Sequence, residues 1–306
     1  MPRILAIVGP TATGKSALGM RVATALAGEI VNADALQVYR GLDIGTAKPS
    51  REDRLRVPHH LVDVVEPTER FSAGEFARLG REAIAGIHSR GRVAVVVGGS
   101  GFYLRALFEG LSPLPAADPA VRRELRRRAG EEGAVVLHRE LAAADPESAA
   151  RIAAADVQRV VRALEVLRVS GRPLSRWIAE EPAGRRPLPA VWIGLTLPRT
   201  ILYDSIAARV ARMLEAGWLE EVGRLLDQGM APEVPAFQAI GYRQIVRCVR
   251  GEWDLERAVA ETVRATRRFA KRQLTWFRNE PQVRWFDPRQ LSDGISGVLD
   301  LMQSEP

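Results

Sequence analysis

A chain of 306 residues, 46% hydrophobic and 26% charged, has the length and composition to bury a substantial core, which excludes a disordered or low-complexity polypeptide. Its single cysteine, Cys248, excludes an internal disulfide and fits a reducing, cytoplasmic setting; no apolar run reaches membrane-span length, and the N-terminal one is too short for a signal peptide. The net charge of +7 favours a polyanionic partner.

In chain order, Arg3–Val8 (RILAIV) reads as a first buried strand and Lys15–Ala27 as a helix closed by Gly28. Between them Gly9–Ser16 reads GPTATGKS, the G-x-x-x-x-G-K-[ST] pattern of a phosphate-binding loop. Gly9 and Gly14 permit the bends that close the run Pro10, Thr11, Ala12, Thr13 around an anion, and the helix N-terminus adds partial positive charge. Lys15 supplies a charge for the terminal phosphates and Ser16 a hydroxyl for Mg²⁺. Only three of the 44 basic residues are lysines (Lys15, Lys48, Lys271), so a lysine at position 15 marks a need for a point charge rather than a guanidinium fork.

Glu29–Ala33 is a second strand ending at Asp34. Leu36–Arg56 lacks helical periodicity and reads as a long functional loop. Leu61–Val65 (LVDVV) is a third strand, and Ser72 with Glu75 forms a capping box opening a helix to about Ser89. Arg92–Val97 is continuously apolar, hence central and parallel, and runs into Gly98-Gly99-Ser100-Gly101 before a helix from about Phe102. This alternation predicts an α/β fold, a P-loop NTPase-like parallel sheet flanked by helices.

From Leu111 to Pro189 strand signals vanish and amphipathic stretches take over (Ala120–Gly130, Glu132–Ala144, Asp156–Ser170, Leu174–Glu181). The expected organisation is a core of residues 1–110 plus 190–306, with an all-helical insertion domain at 111–189. The sheet resumes at Val191–Leu197. Helices follow at Ile201–Ala216, Leu219–Gln228, Gln238–Val249 and Leu255–Phe277, then a last strand at Val283–Phe286 and a weak C-terminal helix.

Asp34 stands at a strand's carboxyl end, where open α/β sheets bind ligands. It suits a general base, a water-mediated Mg²⁺ ligand or the cap of a turn. The strand before Gly98 ends without an acid, which counts against a motor or switch NTPase and leaves the Mg²⁺ ligation incomplete. Its glycines read as a tight backbone approach to ligand or RNA. Thr262–Asn279 carries six basic residues and no acid. At about 100° per residue, Arg264, Arg267, Arg268, Lys271, Arg272, Thr275 and Arg278 fall within an arc of about 140°, opposite Val263, Phe269, Ala270, Leu274 and Phe277. An unmixed basic face suggests a phosphate backbone partner. The Arg122–Arg128 cluster is weaker, with Glu124, Glu131 and Glu132 beside it. His59-His60 reads as structural and Cys248 as core.

With these runs in view, the chain resembles the tRNA dimethylallyltransferases, also called tRNA isopentenyltransferases. The resemblance is carried by the phosphate loop, NADALQVYRGLDIGTAKP (Asn32–Pro49), VPHHLVDVVEP (Val57–Pro67), FSAGEFA (Phe71–Ala77) and VVGGSGFYLRAL (Val96–Leu107). It continues through DVQRVVRALEV (Asp156–Val166), ARVARMLEAGWLEEV (Ala208–Val222), IGYRQ (Ile240–Gln244) and KRQLTWFRN (Lys271–Asn279). It implies transfer of a dimethylallyl group from dimethylallyl diphosphate to N6 of adenosine 37 in tRNA. Asp34 is the implied base, and the Thr11–Ser16 amides, Lys15, Mg²⁺ and Arg209 stabilise the pyrophosphate. Thr13 joins Asp34 and Arg209 as an implied catalytic residue. Implied RNA contacts are Asp34, Ala35, Leu36, Gln37, Gly101, Arg123, Gln158, Arg159, Val160, Val161, Arg162, Gly241, Tyr242, Arg243, Lys271, Arg272, Gln273, Thr275 and Arg278. The insertion is expected to grip the anticodon stem-loop, and the protein to act as a monomer away from any membrane. Ala35 departs from the serine usual in the family after the catalytic aspartate. The rival readings are a small-molecule or nucleoside kinase, an enzyme prenylating free adenine nucleotides, and an RNA-binding protein with a vestigial phosphate loop.

Overall fold

Five consecutive buried residues, Ile4–Val8, form β1 near the middle of a six-stranded sheet. The computed structural model describes residues 4–180, 187–291 and 295–304. Arg3 and Glu181, expected ends of a strand and a helix, lie outside them. The chain continues through α1 (Lys15–Ala25), β2 (Glu29–Ala33), α2 (Arg51–Arg56), β3 (His59–His60), α3 (Ala73–Ser89), β4 (Ala94–Gly98) and α4 (Gly101–Phe108). Five helices follow: α5 (Pro119–Glu131), α6 (Ala134–Ala144), α7 (Pro146–Arg151), α8 (Val157–Ser170) and α9 (Leu174–Ala179). Then come β5 (Val191–Leu195), α10 (Arg199–Glu215), α11 (Trp218–Asp227), α12 (Tyr242–Val249), α13 (Leu255–Arg278), β6 (Val283–Phe286) and α14 (Ser296–Ser304).

The sheet order is β3-β2-β4-β1-β5-β6 and every pairing is parallel. Parallel strands covered on both faces read as unbroken apolar runs, which is how β1 and β4 were legible. One face packs Ala6, Val8 and Val96 against Phe76, Leu104, Leu107 and Phe277. The other packs Leu5, Ile7 and Val95 against Leu18, Val22, Val298 and Met302. The expected α/β fold with a helix-flanked parallel sheet is the observed one.

Contacts divide the chain into two units, one comprising the described residues up to Phe108 and from Leu188 onward, the other Glu109–Pro187. The second unit holds α5–α9 around Leu125, Leu137, Leu141, Val160, Val161 and Leu164. Inside it the buried Glu165 carboxylate accepts from Arg122 at 2.6 Å, Arg162 at 2.8 Å and the Asp118 amide at 2.9 Å.

Four local expectations change. Leu61–Val65 is not a strand: β3 is His59–His60, and φ values of +63° at Leu61 and +56° at Asp63 turn the chain out of extended geometry. Within the expected loop Leu36–Arg56, Ser50 accepts from the Asp53 amide and caps α2. The expected helix Gln238–Val249 is split by Gly241 at φ +94°, leaving a 3₁₀ turn at Pro235–Gln238 before α12. Cys248 is part-exposed rather than core. The capping box at Ser72 and Glu75 and the last strand form as expected.

Candidate active site

The register that pairs Ala33 with Gly98 and Ile7 with Val97 brings three chain exits to one edge of the sheet. Gly9 leaves β1, Asp34 leaves β2 and Gly99 leaves β4. Beside them opens a cavity of about 550 Å³ lined by Lys15, Ser16, Asp34, Gln37, Arg209 and Gln273, among others.

The phosphate loop is shaped by its glycines and braced internally. A Cβ on Gly9, at φ +132°, would lie 2.4 Å from the Leu195 carbonyl oxygen, so no side chain fits there. Gly14, at φ +85°, turns the chain into α1. The Thr13 hydroxyl donates to the Pro10 carbonyl at 2.8 Å and Lys15 Nζ to the same oxygen at 2.6 Å. Thr13 is buried and does not line the cavity, so its hydroxyl serves the loop. Burial lowers the Lys15 pKa to about 7, with Arg209 adding to the effect and Asp34 opposing it. Burial likewise lowers the Arg209 pKa, against the pull of Asp34. Two cations sharing one cavity favour a bound anion that relieves both.

Asp34 Oδ1 accepts from the Leu36 amide at 2.8 Å, an Asx turn that fixes the carboxylate. Among the described residues Oδ2 has no protein donor, which leaves it for a ligand proton. Arg209 Nη2 donates to the Thr46 carbonyl at 3.3 Å, and Gln37 Nε2 reaches the Thr46 and Ala47 carbonyls at 3.1 Å each. The loop carrying those carbonyls hangs from Glu221, which accepts from the Asp43 and Ile44 amides at 2.9 and 2.7 Å and from the Tyr242 hydroxyl at 2.6 Å.

Sequence reasoning missed Glu221, which sits in an ordinary-looking acidic pair, and the apolar wall of Met20, Ile30, Val97 and Phe269. Apolar residues facing a cavity carry the same pattern as apolar residues facing a core. The glycines after β4 have a different reason from the one expected. A Cβ would strike the Ala33 carbonyl oxygen at 2.1 Å from Gly98, the Gln273 amide at 2.2 Å from Gly99 and the Trp276 indole at 2.3 Å from Gly101. They admit protein, chiefly α13, and Gly98 and Gly99 also line the cavity.

The expected RNA contacts fall into three groups. Lys271, Arg272, Thr275 and Arg278 are exposed along α13, Arg243 is exposed on α12, and Arg123, Gln158 and Arg159 are exposed in the helical unit. Ala35 and Leu36 are half-buried beside Asp34, and Gln37 lines the cavity. The rest are engaged internally. The side chains of Val160 and Val161 fill the helical unit's core, Arg162 is held by Glu165 and the Pro115 carbonyl, and Gly101 lies under Trp276. Gly241 abuts Trp218, Tyr242 is fully buried on Glu221, and Gln273 is buried between Thr11 and Gly99. The buried side chains of Val160, Val161 and Tyr242 shape the surface rather than form it, whereas Gln273 also lines the cavity and Arg162 is part-exposed.

His60 Nε2 meets Glu29 at 2.7 Å, a structural role, while His59, whose Nδ1 meets the Val57 carbonyl at 2.7 Å, also lines the cavity. Among the described residues no three His, Cys, Asp or Glu side chains are grouped to hold a metal, and no helix is long and apolar enough to cross a membrane.

Two family models match: "IPP transferase" over residues 37–280 and "Isopentenyl transferase" over residues 2–59. The chain is 45% identical to a tRNA dimethylallyltransferase of Geobacter sulfurreducens, over 97% of this chain and 95% of that one. It is 50% identical to one of Halorhodospira halophila, over 90% of each chain. Among solved structures it resembles a full-length tRNA isopentenylpyrophosphate transferase from Bacillus halodurans, with TM-score 0.71, 38% identity and coverage of 99% and 97%. It also resembles a eukaryotic dimethylallyltransferase captured acting on tRNA, with TM-score 0.84, 26% identity and coverage of 100% and 81%.

Proposed function

Because the chain belongs to the IPP transferase family, we propose that its cavity runs dimethylallyl transfer with Asp34 as base and the phosphate loop as the cradle of the leaving group. The activity is that of a tRNA dimethylallyltransferase, a prenyl transfer to tRNA. The acceptor is N6 of adenosine 37, beside the anticodon. That exocyclic amine is a weak nucleophile because its lone pair is delocalised into the ring. Asp34, fixed by the Leu36 amide and open at Oδ2, takes the N6 proton as nitrogen bonds to C1 of the dimethylallyl group. The C1–O bond breaks and its electron pair leaves with pyrophosphate.

Charge then grows on the diphosphate oxygens, where Lys15 and Arg209 line the cavity and the loop amides other than that of Thr11, which Gln273 holds, stabilise it. The single observation that carries this reading is Asp34 sharing one cavity with Lys15, Ser16 and Arg209. The cavity's donor set fits Mg²⁺: the exposed Ser16 hydroxyl faces the same space as Asp34, and this ion prefers substrate phosphates and water with few protein ligands. When bound it neutralises charge on the diphosphate. Met20, Ile30, Val97 and Phe269 give the hydrocarbon chain an apolar wall. The exposed cations of α13 and, in the helical unit, Arg123 and Arg159 contact the RNA backbone. The target base leaves its stack to reach Asp34, at a cost of a few kcal/mol.

The test incubates the protein with unmodified tRNA and labelled dimethylallyl diphosphate, with ATP and free AMP present as competing substrates. Label at N6 of adenosine 37 supports the reading. Label in free AMP, or phosphate transfer from ATP alone, overturns it.

A further inference from the structure

A second cavity, of about 600 Å³, opens between the first turns of α10 and the middle of α13. Its lining includes five cations, Arg199, Arg264, Arg267, Arg268 and Lys271, with Tyr203 among them and no carboxylate. The guanidinium of Arg199 lies 5.1 Å from the Tyr203 ring centroid and that of Arg267 4.8 Å from the same centroid. Arg199 also donates to the Tyr203 hydroxyl at 3.0 Å. One ring therefore contacts two like charges that line the same cavity. Arg264 pairs with Glu261 at 3.0 Å. Among the described residues Arg199, Arg267, Arg268 and Lys271 have no acidic partner, and Arg267 Nε is buried without an acceptor.

Cation–π contact offsets only part of the repulsion between neighbouring guanidiniums. A solvated surface normally mixes signs, and here, among the described residues, Arg264 alone of the five cations has an acid beside it. A tetrahedral oxyanion between Arg199 and Arg267 supplies the missing charge and accepts from both planar forks. The pocket lies beside the exposed row Arg268, Lys271, Arg272 and Arg278 on the same helix, so an RNA strand along that row passes over it.

We propose that this pocket is a phosphodiester subsite, where Arg199 and Arg267, aligned by Tyr203, clamp one backbone phosphate of the tRNA. The inference rests on the tRNA-prenylating reading and adds α10 to the RNA-binding surface. It is separate from the diphosphate cavity, with which it shares no lining residue.

The test measures tRNA affinity across a series of NaCl concentrations for Arg199→Gln and Arg267→Gln, alongside KM for dimethylallyl diphosphate. Each variant is expected to weaken tRNA binding about fivefold to tenfold at low salt and to flatten the log–log salt slope by about 0.7–0.9. Arg199 is exposed, so its variant carries the test alone if Arg267→Gln melts early. Unchanged affinity and slope overturn the proposal. So does a raised KM for dimethylallyl diphosphate with tRNA affinity intact, which assigns the pocket to the free diphosphate. Wild-type protein that fails to label tRNA breaks the underlying reading instead, so the two failures are distinguishable.

Discussion

Gln273 Oε1 accepts a hydrogen bond from the Thr11 amide at 2.8 Å while its Nε2 donates to the Gly99 carbonyl at 2.9 Å. A single side chain thus ties the helix that carries the basic row to the phosphate loop and to the end of β4. Gln273→Ala leaves a part-buried amide and a buried carbonyl unpaired, so stability should fall by about 1–3 kcal/mol in urea titrations. The same change frees Thr11, and KM for dimethylallyl diphosphate should rise. Gln273→Glu keeps the acceptor for Thr11 but loses the donor to Gly99. Because its carboxylate also stands in the wall of the diphosphate cavity, it should raise the diphosphate KM further than the alanine variant does, and equal KM values for the two would assign the effect to lost packing.

Asp34→Asn keeps the size of the side chain and the acceptor for the Leu36 amide while removing the basic oxygen. In single-turnover assays with saturating tRNA, transfer should fall by at least about 10²-fold, the lower range for a general base. Affinity for tRNA in filter binding should stay within about twofold, since no charge pair with RNA is lost. Near-normal transfer would remove Asp34 from the proton step.

The parts of the site legible in the sequence are those written as local patterns at strand ends. Gly9–Ser16 and Asp34 each follow a short apolar run, and strand ends in a parallel sheet converge whatever the loops do. Residues that act across long separations left no such mark. Glu221 meets Asp43, Ile44 and Tyr242 only after α11 packs against the loop. Gln273 stands within the basic segment, so its inward aim toward Thr11 was hidden among its neighbours. Phe269 and Met20 were indistinguishable from core. Leu61–Val65 has the composition of a strand, but left-handed φ at Leu61 and Asp63 overrides that preference.

Along α13, Arg268 and Arg272 are exposed and have no acidic partner among the described residues. Arg268→Glu with Arg272→Glu should weaken tRNA binding across all tRNA sequences and reduce the log–log salt slope by about 1–2. The melting temperature should hold, because an unmixed positive face gains from the two reversed charges what it loses in helix contacts. Fluorescence anisotropy over a salt series gives the slope directly, and a slope equal to wild type would take the basic row off the RNA path.

Glu29 offers a pH test away from the site. Its buried carboxylate accepts from Arg90 at 2.7 and 2.9 Å, from Arg92 at 3.2 Å and meets His60 at 2.7 Å. The Arg90 hydrogen bonds, with His60 assisting against the cost of burial, lower its pKa from 4.5 to about 2. A depressed carboxylate pKa stabilises the fold above the unfolded value, and that stability drains as pH falls from about 4.5 toward 2. The contribution at neutral pH is on the order of 2–3 kcal/mol. Glu29→Gln should therefore be less stable than wild type at pH 7 and close to it near pH 2, measured by urea midpoints. A gap independent of pH would mean that packing, not charge, holds this corner.

Glu221 is the anchor of the loop that presents the Thr46 and Ala47 carbonyls to Arg209 and Gln37. It is buried, and three backbone amides with the Tyr242 hydroxyl surround its two oxygens. Glu221→Gln puts an amide nitrogen where every neighbour is a donor, so at least one buried donor loses its acceptor. Stability should drop by about 2–4 kcal/mol, whereas Tyr242→Phe, which removes one donor and leaves the carboxylate held by the amides, should cost about 1 kcal/mol. The kinetic signature separates a local anchor from a general fold defect. With the loop loosened, Arg209 loses its seat at Thr46, so kcat should fall in Glu221→Gln at temperatures well below its unfolding transition, while tRNA affinity is retained. Loss of tRNA binding in step with loss of kcat would show instead that the whole lobe of α11 and α12 had come apart.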